Sequence, residues 1–145
     1  MKETDYGRTV VCEPLRSVSF RLPWPPSLNH AMIYPTRAAP YPSKAGKAFR
    51  ADAIAAVWSH FQGKPTPLRR CRVTLKLTPP TKAKRDADNH IKPVLDALVD
   101  AGLLGDDSAP HVKEVRAAWT DRVEKPGCCD VTIAEIKPTH GTQEP

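Results

Sequence analysis

The chain has 145 residues, with 22 Lys and Arg against 16 Asp and Glu, which gives a formal net charge of +6 at pH 7. This length supports one domain and leaves little room for a second hydrophobic core. No segment approaches the ~20 consecutive apolar residues of a membrane span, and no apolar signal region follows the first residues. We therefore expect a soluble, cytoplasmic protein without a membrane partner, and the basic charge favours a polyanionic partner.

The first elements are a flexible arm, a strand and a long loop. Residues 1–16 lack clear periodicity and are predicted to form the arm. The segment SVSFRLPW alternates, which predicts a strand with Val18, Phe20 and Leu22 on one face. Prolines end this strand because they lack the amide donor that a sheet needs. A proline-rich loop that carries Arg37 follows.

The first main helix is predicted from about Lys44 to Phe61 because apolar residues recur at helical spacing. Ser43 is its expected N-cap. Lys44 and Lys47 lie in its first turns, where cations oppose the helix macrodipole. Local stability does not explain these cations, which favours a role for them in binding. With Arg37, they are candidates for contact with DNA.

The second half of the chain is predicted as strand, helix, strand, strand. CRVTLKL alternates, and the following apolar spacing predicts a helix that begins near Pro93 and ends at Gly102. HVKEVRAAW and CDVTIAEI predict the last strands. The order fits an α+β, two-layer domain over residues 17–136, with a small mixed sheet of about four strands and two main helices packed on it. A polar tail, residues 137–145, follows.

The cysteines and histidines predict no zinc site. Cys128 and Cys129 are adjacent, and the four cysteines show no Cys-x-x-Cys spacing, so we expect reduced thiols. The five histidines are scattered without the spacing of a metal-binding pair.

The segment TKAKRDADN joins a dense group of cations to two carboxylates. On an extended backbone, Asp86 and Asp88 would project to the same side and repel each other. A divalent metal offsets that repulsion, and Mg²⁺ takes one or two carboxylates together with water and phosphate oxygens. Lys82 and Lys84 would capture the phosphodiester backbone. Cations that recruit DNA beside carboxylates that hold a metal suggest a metal-dependent nuclease.

Simpler interpretations of these residues stay open. A solvated loop or a helix N-terminal acid explains Asp-x-Asp without chemistry. Asp106 and Asp107 follow the second helix and lie where the chain turns back toward the first pair, but they also suit a hydrophilic turn. Lys92 is four residues from Asp88 and from Asp96, so a surface ion pair is its simplest role. The KAKR run equally suits a solvated face.

The string DADNHIKPVLDALVDAGLLGDD resembles the RusA family of Holliday junction resolvases. That family's pattern is Asp-x-Asp-Asn, a lysine three residues on, a later Asp-Ala-Leu, and an Asp-Asp pair before a strand. The matching residues here are Asp86, Asp88, Asn89, Lys92, Asp96-Ala97-Leu98 and Asp106-Asp107. The early LPWPPSLN is similar to the family's opening strand and Pro-Pro-Ser-x-Asn turn, so the resemblance covers roughly residues 17–136.

The resemblance implies a homodimeric, Mg²⁺-dependent endonuclease that cuts four-way DNA junctions by paired symmetric nicks in DNA recombination and repair. Mn²⁺ is expected to substitute for Mg²⁺, and no organic cofactor is expected. Matched by motif, Asp86, Asp88 and Asp107 are the metal-binding catalytic acids. Lys92 is the catalytic lysine that meets phosphate or developing charge, and Arg85 holds backbone phosphate. The source implied is bacterial, prophage or phage.

Two features depart from the family pattern. Many members carry a glutamine shortly after the Asp-Asp pair, where this chain has Ser108-Ala109-Pro110-His111, and Pro93 directly follows the lysine. Both bear on loop geometry and substrate details. The alternatives are a branched-DNA-binding protein that does not cut, and a metal nuclease that acts on other branched DNA.

Overall fold

The computed structural model describes residues 2–5, 8–11, 15–108 and 111–137. Strands β1 (Lys2–Asp5) and β2 (Arg8–Val11) pair antiparallel, in a segment where the sequence predicted no element. The flexibility of residues 1–16 stays a prediction. Most of the predicted polar tail, residues 138–145, lies outside the described residues.

The remaining elements follow the predicted order, with additional short ones. They are β3 (Ser17–Pro23), α1 (Leu28–Ala31), β4 (Met32–Ile33), β5 (Tyr41–Pro42), α2 (Lys44–Phe61), β6 (Cys71–Thr78), a 3₁₀ helix (Ala87–His90), α3 (Ile91–Asp100), β7 (Val112–Trp119) and β8 (Cys128–Glu135). Strands β4 and β5 pair with each other and bracket the loop that carries Arg37.

A four-stranded mixed sheet forms the centre of the domain, in the order β3-β8-β6-β7. Strand β8 is antiparallel to both β3 and β6, whereas β6 and β7 are parallel. The parallel pair needs a crossover connection, and the 3₁₀ helix and α3 supply it. The predicted α+β class, with two main helices on a small mixed sheet, is confirmed.

The hydrophobic core lies between the sheet and the helices α2 and α3. Every second residue of β6 is buried, because side chains alternate along a strand. The core combines this strand with residues of β8 and of both helices, including Leu75, Val131, Val57, Val94 and Leu98. Each such aliphatic side chain contributes roughly 1.5–3 kcal/mol when it is fully buried. The core fixes α3, and therefore the residues at its first turn.

Helix α2 begins where the sequence predicts. Ser43 caps it, and its Oγ accepts a hydrogen bond from the Gly46 amide at 3.0 Å. Gly46 is also the point where α2 meets α1, because a Cβ there would lie 2.2 Å from the Ala31 carbonyl oxygen. No helix among the described residues combines the length and apolar character needed to cross a membrane.

Helix α3 begins at Ile91, two residues before the predicted start near Pro93. Pro93 was expected at the first helical position because proline disfavours helical backbone in the residue before it. It is instead the third residue of the helix, still within the first turn, where a proline is tolerated because amides there lack intrahelical partners. Lys92 therefore lies inside the helix.

The described cysteines are free and buried. They are Cys71, Cys128 and Cys129, and Cys12 lies outside the described residues. Burial raises the pKa of Cys71 to about 11 and that of Cys129 to about 12. These thiols stay protonated at neutral pH and belong to the core.

Candidate active site

The acidic segment lies where the chain leaves the sheet and enters α3. Asp86 has an extended backbone, with φ −101° and ψ 129°, whereas Asp88 lies inside the 3₁₀ helix. The Asn89 amide donates to the Asp86 carbonyl at 3.2 Å, and the Ile91 amide donates to the Asp88 carbonyl. These turn hydrogen bonds coil the chain from Ala87 onward, so Asp86 and Asp88 do not share the extended backbone that would project both side chains to one side.

His90 anchors this segment to the proline-rich turn after β3. Its side chain is buried, and Nδ1–H donates to the Pro25 carbonyl at 3.0 Å. Its ring lies 4.8 Å from the Trp24 ring, between centroids. Burial lowers the pKa of His90, so the neutral ring is favoured. These partners give His90 a structural role, which the scattered spacing of the histidines did not indicate.

A cavity of about 500 Å³ opens between the proline-rich turn after β3, residues 24–27, and the acidic segment, residues 84–90. We call it the acid-lined cavity. Asp86, Asn89 and Lys84 line it from one segment, and Ser27 and His30 line it from the other. Ser27 Oγ and His30 Nδ1 share a hydrogen bond of 2.8 Å. Sequence reasoning missed both residues. The LPWPPSLN turn was recognised, but no spacing pattern singled out the serine or the histidine.

Lys92 is the centre of an ion-pair network. Its Nζ lies 2.7 Å from Asp107 Oδ2 and 2.9 Å from Asp96 Oδ1. Both carboxylates, Asp107 first, raise the pKa of Lys92. From α2, Arg50 Nε contacts Asp100 at 3.1 Å, and its Nη2 lies 4.0 Å from Asp96. The surface ion pair between Lys92 and Asp96 that the spacing suggested is present. Through Asp107, Lys92 also joins the first turn of α3 to the loop after the helix.

The adjacent Asp106 and Asp107 have different surroundings. Asp106 Oδ1 accepts a hydrogen bond from the Ser108 amide at 3.2 Å, and this bond lowers the pKa of Asp106. Asp107 instead faces Lys92. The chain returns after Gly102, whose φ is +85°, and the buried Leu103 holds the loop. The loop after α3 brings Asp107 against Lys92. Its predicted return to Asp86 and Asp88 stays a prediction.

Asp86 and Asp88 are exposed and make no hydrogen bond or ion pair through their side chains with other described residues. Within residues 15–108 and 111–137, no three Asp, Glu, His or Cys side chains lie close enough together to hold one metal ion. Asp107 contacts Lys92 rather than Asp86 or Asp88. The donor chemistry fits Mg²⁺, because all three are carboxylates, and Asp86 and Asp88 have no competing partner among the described residues. The metal-binding set stays a prediction.

The cations predicted to bind DNA fall into two groups. Lys84 lines the acid-lined cavity and Lys82 lies beside it, whereas Arg37, Lys44 and Lys47 lie outside it. All five are exposed and form no ion pair with the described residues.

Arg85 differs from these five cations because residues of its own loop hold its guanidinium. Nη1 donates to the carbonyls of Thr81 and Ala83 at 3.0 and 3.1 Å, and Nη2 donates to Thr81 Oγ1 at 2.7 Å. The guanidinium also lies over the Trp24 ring, 5.5 Å from its centroid. Three of its five N–H donors are therefore used, and two have no partner among the described residues.

The chain matches the family model described as Endodeoxyribonuclease RusA over residues 23–128. It belongs to the RusA family. Crossover junction endodeoxyribonuclease RusA of Escherichia coli (strain K12) is 30% identical over 125 residues, which is 84% of this chain and 98% of that protein. Proteins of the same name from Escherichia coli O1:K1 / APEC and Escherichia coli O139:H28 (strain E24377A / ETEC) show the same identity and coverage.

The RusA match includes the whole candidate site. It begins at Pro23, before the proline-rich turn, and ends at Cys128, after the loop that carries Asp107. The family resemblance that the acidic motif indicated is confirmed. The described surroundings of Lys92 and Asp107 are thus features of a RusA family chain.

Proposed function

We propose that this RusA family chain is a Mg²⁺-dependent, structure-specific endodeoxyribonuclease that resolves four-way DNA junctions. It acts as a homodimer, by paired symmetric nicks, in DNA recombination and repair in the cytoplasm. One observation carries the proposal: Lys92 contacts Asp107 across 15 residues of sequence, in the first turn of the helix that follows the Asp86–Asn89 segment. The relatives named crossover junction endodeoxyribonucleases support the assignment of substrate.

The proposed roles follow from the chemistry of each side chain. Asp86, Asp88 and Asp107 would hold Mg²⁺, with Mn²⁺ as a substitute. When bound, the ion supplies a Lewis acid for a phosphate oxygen and lowers the pKa of a bound water. Asp107 and Asp96 raise the pKa of Lys92 above its usual 10.5, so its ammonium stays charged well into the alkaline range. Its ammonium has three donors and two carboxylate partners, so one donor remains for a DNA phosphate.

The exposed cations would bring DNA to this site. Lys82, Lys84 and Arg85 lie next to the acids, and Arg37, Lys44 and Lys47 would contact more distant phosphates. Each phosphate contact releases counterions, so binding weakens steeply as salt rises.

A homodimer suits the proposed substrate. A four-way junction has approximate two-fold symmetry, so a two-fold dimer presents one acidic site to each of two opposed strands. Each chain then needs only one set of acids to make paired nicks.

Cleavage of labelled DNA by the wild type and by Asp88→Asn tests the proposal. We expect the wild type to nick a four-way junction symmetrically with Mg²⁺ and not without it. Asp88→Asn should bind the junction but cleave it at least ~100-fold more slowly. Asp52→Asn is the matched control, because Asp52 is an exposed acid of α2 and its loss removes the same charge elsewhere.

Normal cleavage by Asp88→Asn would contradict the assignment of the acids. Cleavage of Y-forks or linear duplex in preference to the junction would identify a metal nuclease for other DNA. Binding of junctions without nicking, in Mg²⁺ and in Mn²⁺, would identify a non-catalytic branched-DNA-binding protein.

A further inference from the structure

A second cleft, of about 230 Å³, lies next to the acid-lined cavity and shares Arg85 with it. One wall is the loop after β6, residues 79–85, and the other is the end of β7 with the loop that follows it. Trp119 and Val123 line the cleft and are 36% and 43% exposed. Large apolar side chains thus face solvent beside the candidate active site.

The Trp119 indole is held in place from behind. Its ring lies 6.2 Å from the Trp24 ring, nearly parallel at 29°, and 6.0 Å from the His90 ring, between centroids. The loop after Trp119 is fixed as well. The Thr120 amide donates to the Leu77 carbonyl at 2.9 Å, and the Glu124 amide donates to the Pro79 carbonyl at 3.0 Å. Trp119 therefore presents a supported aromatic surface to the cleft.

The charges around this cleft are mainly positive. Among the described residues, Lys82, Arg85 and Arg122 line it, against one lining acid, Asp121. The one ion pair of the Arg122 guanidinium with these residues is a long contact with Glu124, at 3.8 Å. Lys82 forms no ion pair with the described residues. A negatively charged group with an aromatic ring complements both features of the cleft.

We propose that the Trp119 cleft binds one unstacked nucleotide of the branched DNA, with its base against the Trp119 ring and its phosphate between Lys82 and Arg122. This inference rests on the proposed function and adds a reason for branch selectivity. Aromatic side chains beside cations bind single nucleotides by stacking, with little dependence on sequence. The cleft is smaller than the ~300–1,000 Å³ of pockets for drug-sized ligands, which suits one ring system. Continuous duplex keeps its bases stacked and offers none to the cleft, whereas a branch point interrupts the stack.

The test compares affinities for a four-way junction and for linear duplex, measured without divalent metal, in wild type and Trp119→Leu. Leucine keeps an apolar contact for Trp24 and His90 but cannot stack on a base. We expect junction affinity to fall on the order of 5- to 150-fold while duplex affinity is unchanged. Trp119→Phe should retain most of the junction affinity.

Trp58→Leu is the matched control. Trp58 is 41% exposed, and its Nε1–H donates to the Ala101 carbonyl at the far end of α3 from Lys92, so its loss should change neither affinity. Thermal melting of each variant confirms that the fold is intact. If Trp119→Leu lowers both affinities equally, or lowers neither, the cleft proposal is overturned.

Photocrosslinking identifies the contact directly and separates this inference from the proposed function. Junctions with 5-iodouracil at successive positions from the branch point should crosslink to the tryptic peptide of residues 117–122, which contains Trp119. Crosslinking elsewhere only would overturn the cleft while junction cleavage by the wild type stands. Failure of wild-type cleavage with Mg²⁺ would overturn the proposed function, and a crosslink to Trp119 would still support the cleft.

Discussion

Lys92 is placed by carboxylates on both sides of its ammonium group. Asp107 comes from the loop after α3, and Asp96 comes from the next turn of the same helix. Half of the Lys92 side chain stays exposed, at 51%, so the network orients the ammonium without closing it off from DNA. Asp96 is therefore a positioning residue in the proposed mechanism, and the loss of its charge should lower the cleavage rate through its effect on Lys92.

Asp96→Asn should lower kcat for junction cleavage on the order of 10- to 100-fold, with KM little changed, because Lys92 loses one of two groups that place it. The pKa of Lys92 should also fall, since Asp96 contributes to its elevation. The alkaline loss of activity should consequently move to lower pH in a pH–rate profile.

Asp100→Asn is the control for that change. Asp100 lies on the same helix and contacts Arg50, but it makes no contact with Lys92. An identical loss of rate in both variants, or an alkaline limb that does not move in Asp96→Asn, would show that Asp96 acts only through the stability of α3.

Helices α1 and α2 meet so closely that only glycine fits at residue 46. A Cβ there would lie 2.2 Å from a backbone oxygen of α1, and backbone cannot move aside as a flexible side chain can. This contact also positions Ser27 and His30 at the cavity. The packing of two helices thus shapes one side of the candidate site.

Gly46→Ala should destabilise the protein by roughly 1–3 kcal/mol, the range for overpacking. The sign of the change in stability is informative. Alanine stabilises a helix relative to glycine by about 0.5–1 kcal/mol, so at an uncrowded position the substitution would stabilise the protein. Urea unfolding measures the change. Ser59→Ala, at an exposed position of the same helix, should change stability by less than about 0.5 kcal/mol. A Gly46→Ala protein as stable as wild type would contradict the close packing.

Glu135, the last residue of β8, ties together the starts of β3 and β6. Its Oε1 accepts from the Arg16 amide at 3.2 Å, and its Oε2 accepts from the Arg69 amide at 2.9 Å. These hydrogen bonds, that of Arg69 first, lower the pKa of Glu135 from its usual 4.5. Because the folded-state pKa is the lower one, this stabilisation is present above about pH 4.5 and is lost as pH falls through the folded-state pKa.

Glu135→Gln should therefore lower the free energy of unfolding at pH 7 by roughly 1–3 kcal/mol, as expected for hydrogen bonds to a charged group. The difference from wild type should shrink as pH falls below 4.5. Chemical unfolding at several pH values measures it. Glu124→Gln, which removes an exposed acid with one long ion pair, should show almost no effect. A difference that does not depend on pH would exclude the proposed role of the carboxylate charge.

Patterns of burial made the long elements predictable from sequence. The period of two in β6 and the helical spacing in α2 each report which side chains face the core. The 3₁₀ helix and α1 carry no such pattern, because each is only one turn long and is held by tertiary contacts. The Pro25–His90 hydrogen bond is an example, since it joins segments 65 residues apart. For the same reason the sequence did not indicate the 3₁₀ backbone of Asp88.

At the scale of the whole molecule, the sequence motif identified the acids and Lys92. The partners of these side chains became visible only in the folded structure. Spacing suggested the Lys92–Asp96 pair, whereas the contact with Asp107 depends on how Gly102 and Leu103 return the chain. Trp119 is predictable only as the end of a strand. Its exposure and its support by Trp24 appear once three separated segments fold together.

The central claim is that Asp86, Asp88 and Asp107 hold a divalent ion in one site. Anomalous diffraction from crystals of the full chain with Mn²⁺ tests it most directly. We predict a manganese peak bound by carboxylate oxygens of all three aspartates. Manganese bound elsewhere, or bound by Asp86 and Asp88 without Asp107, would contradict the claim.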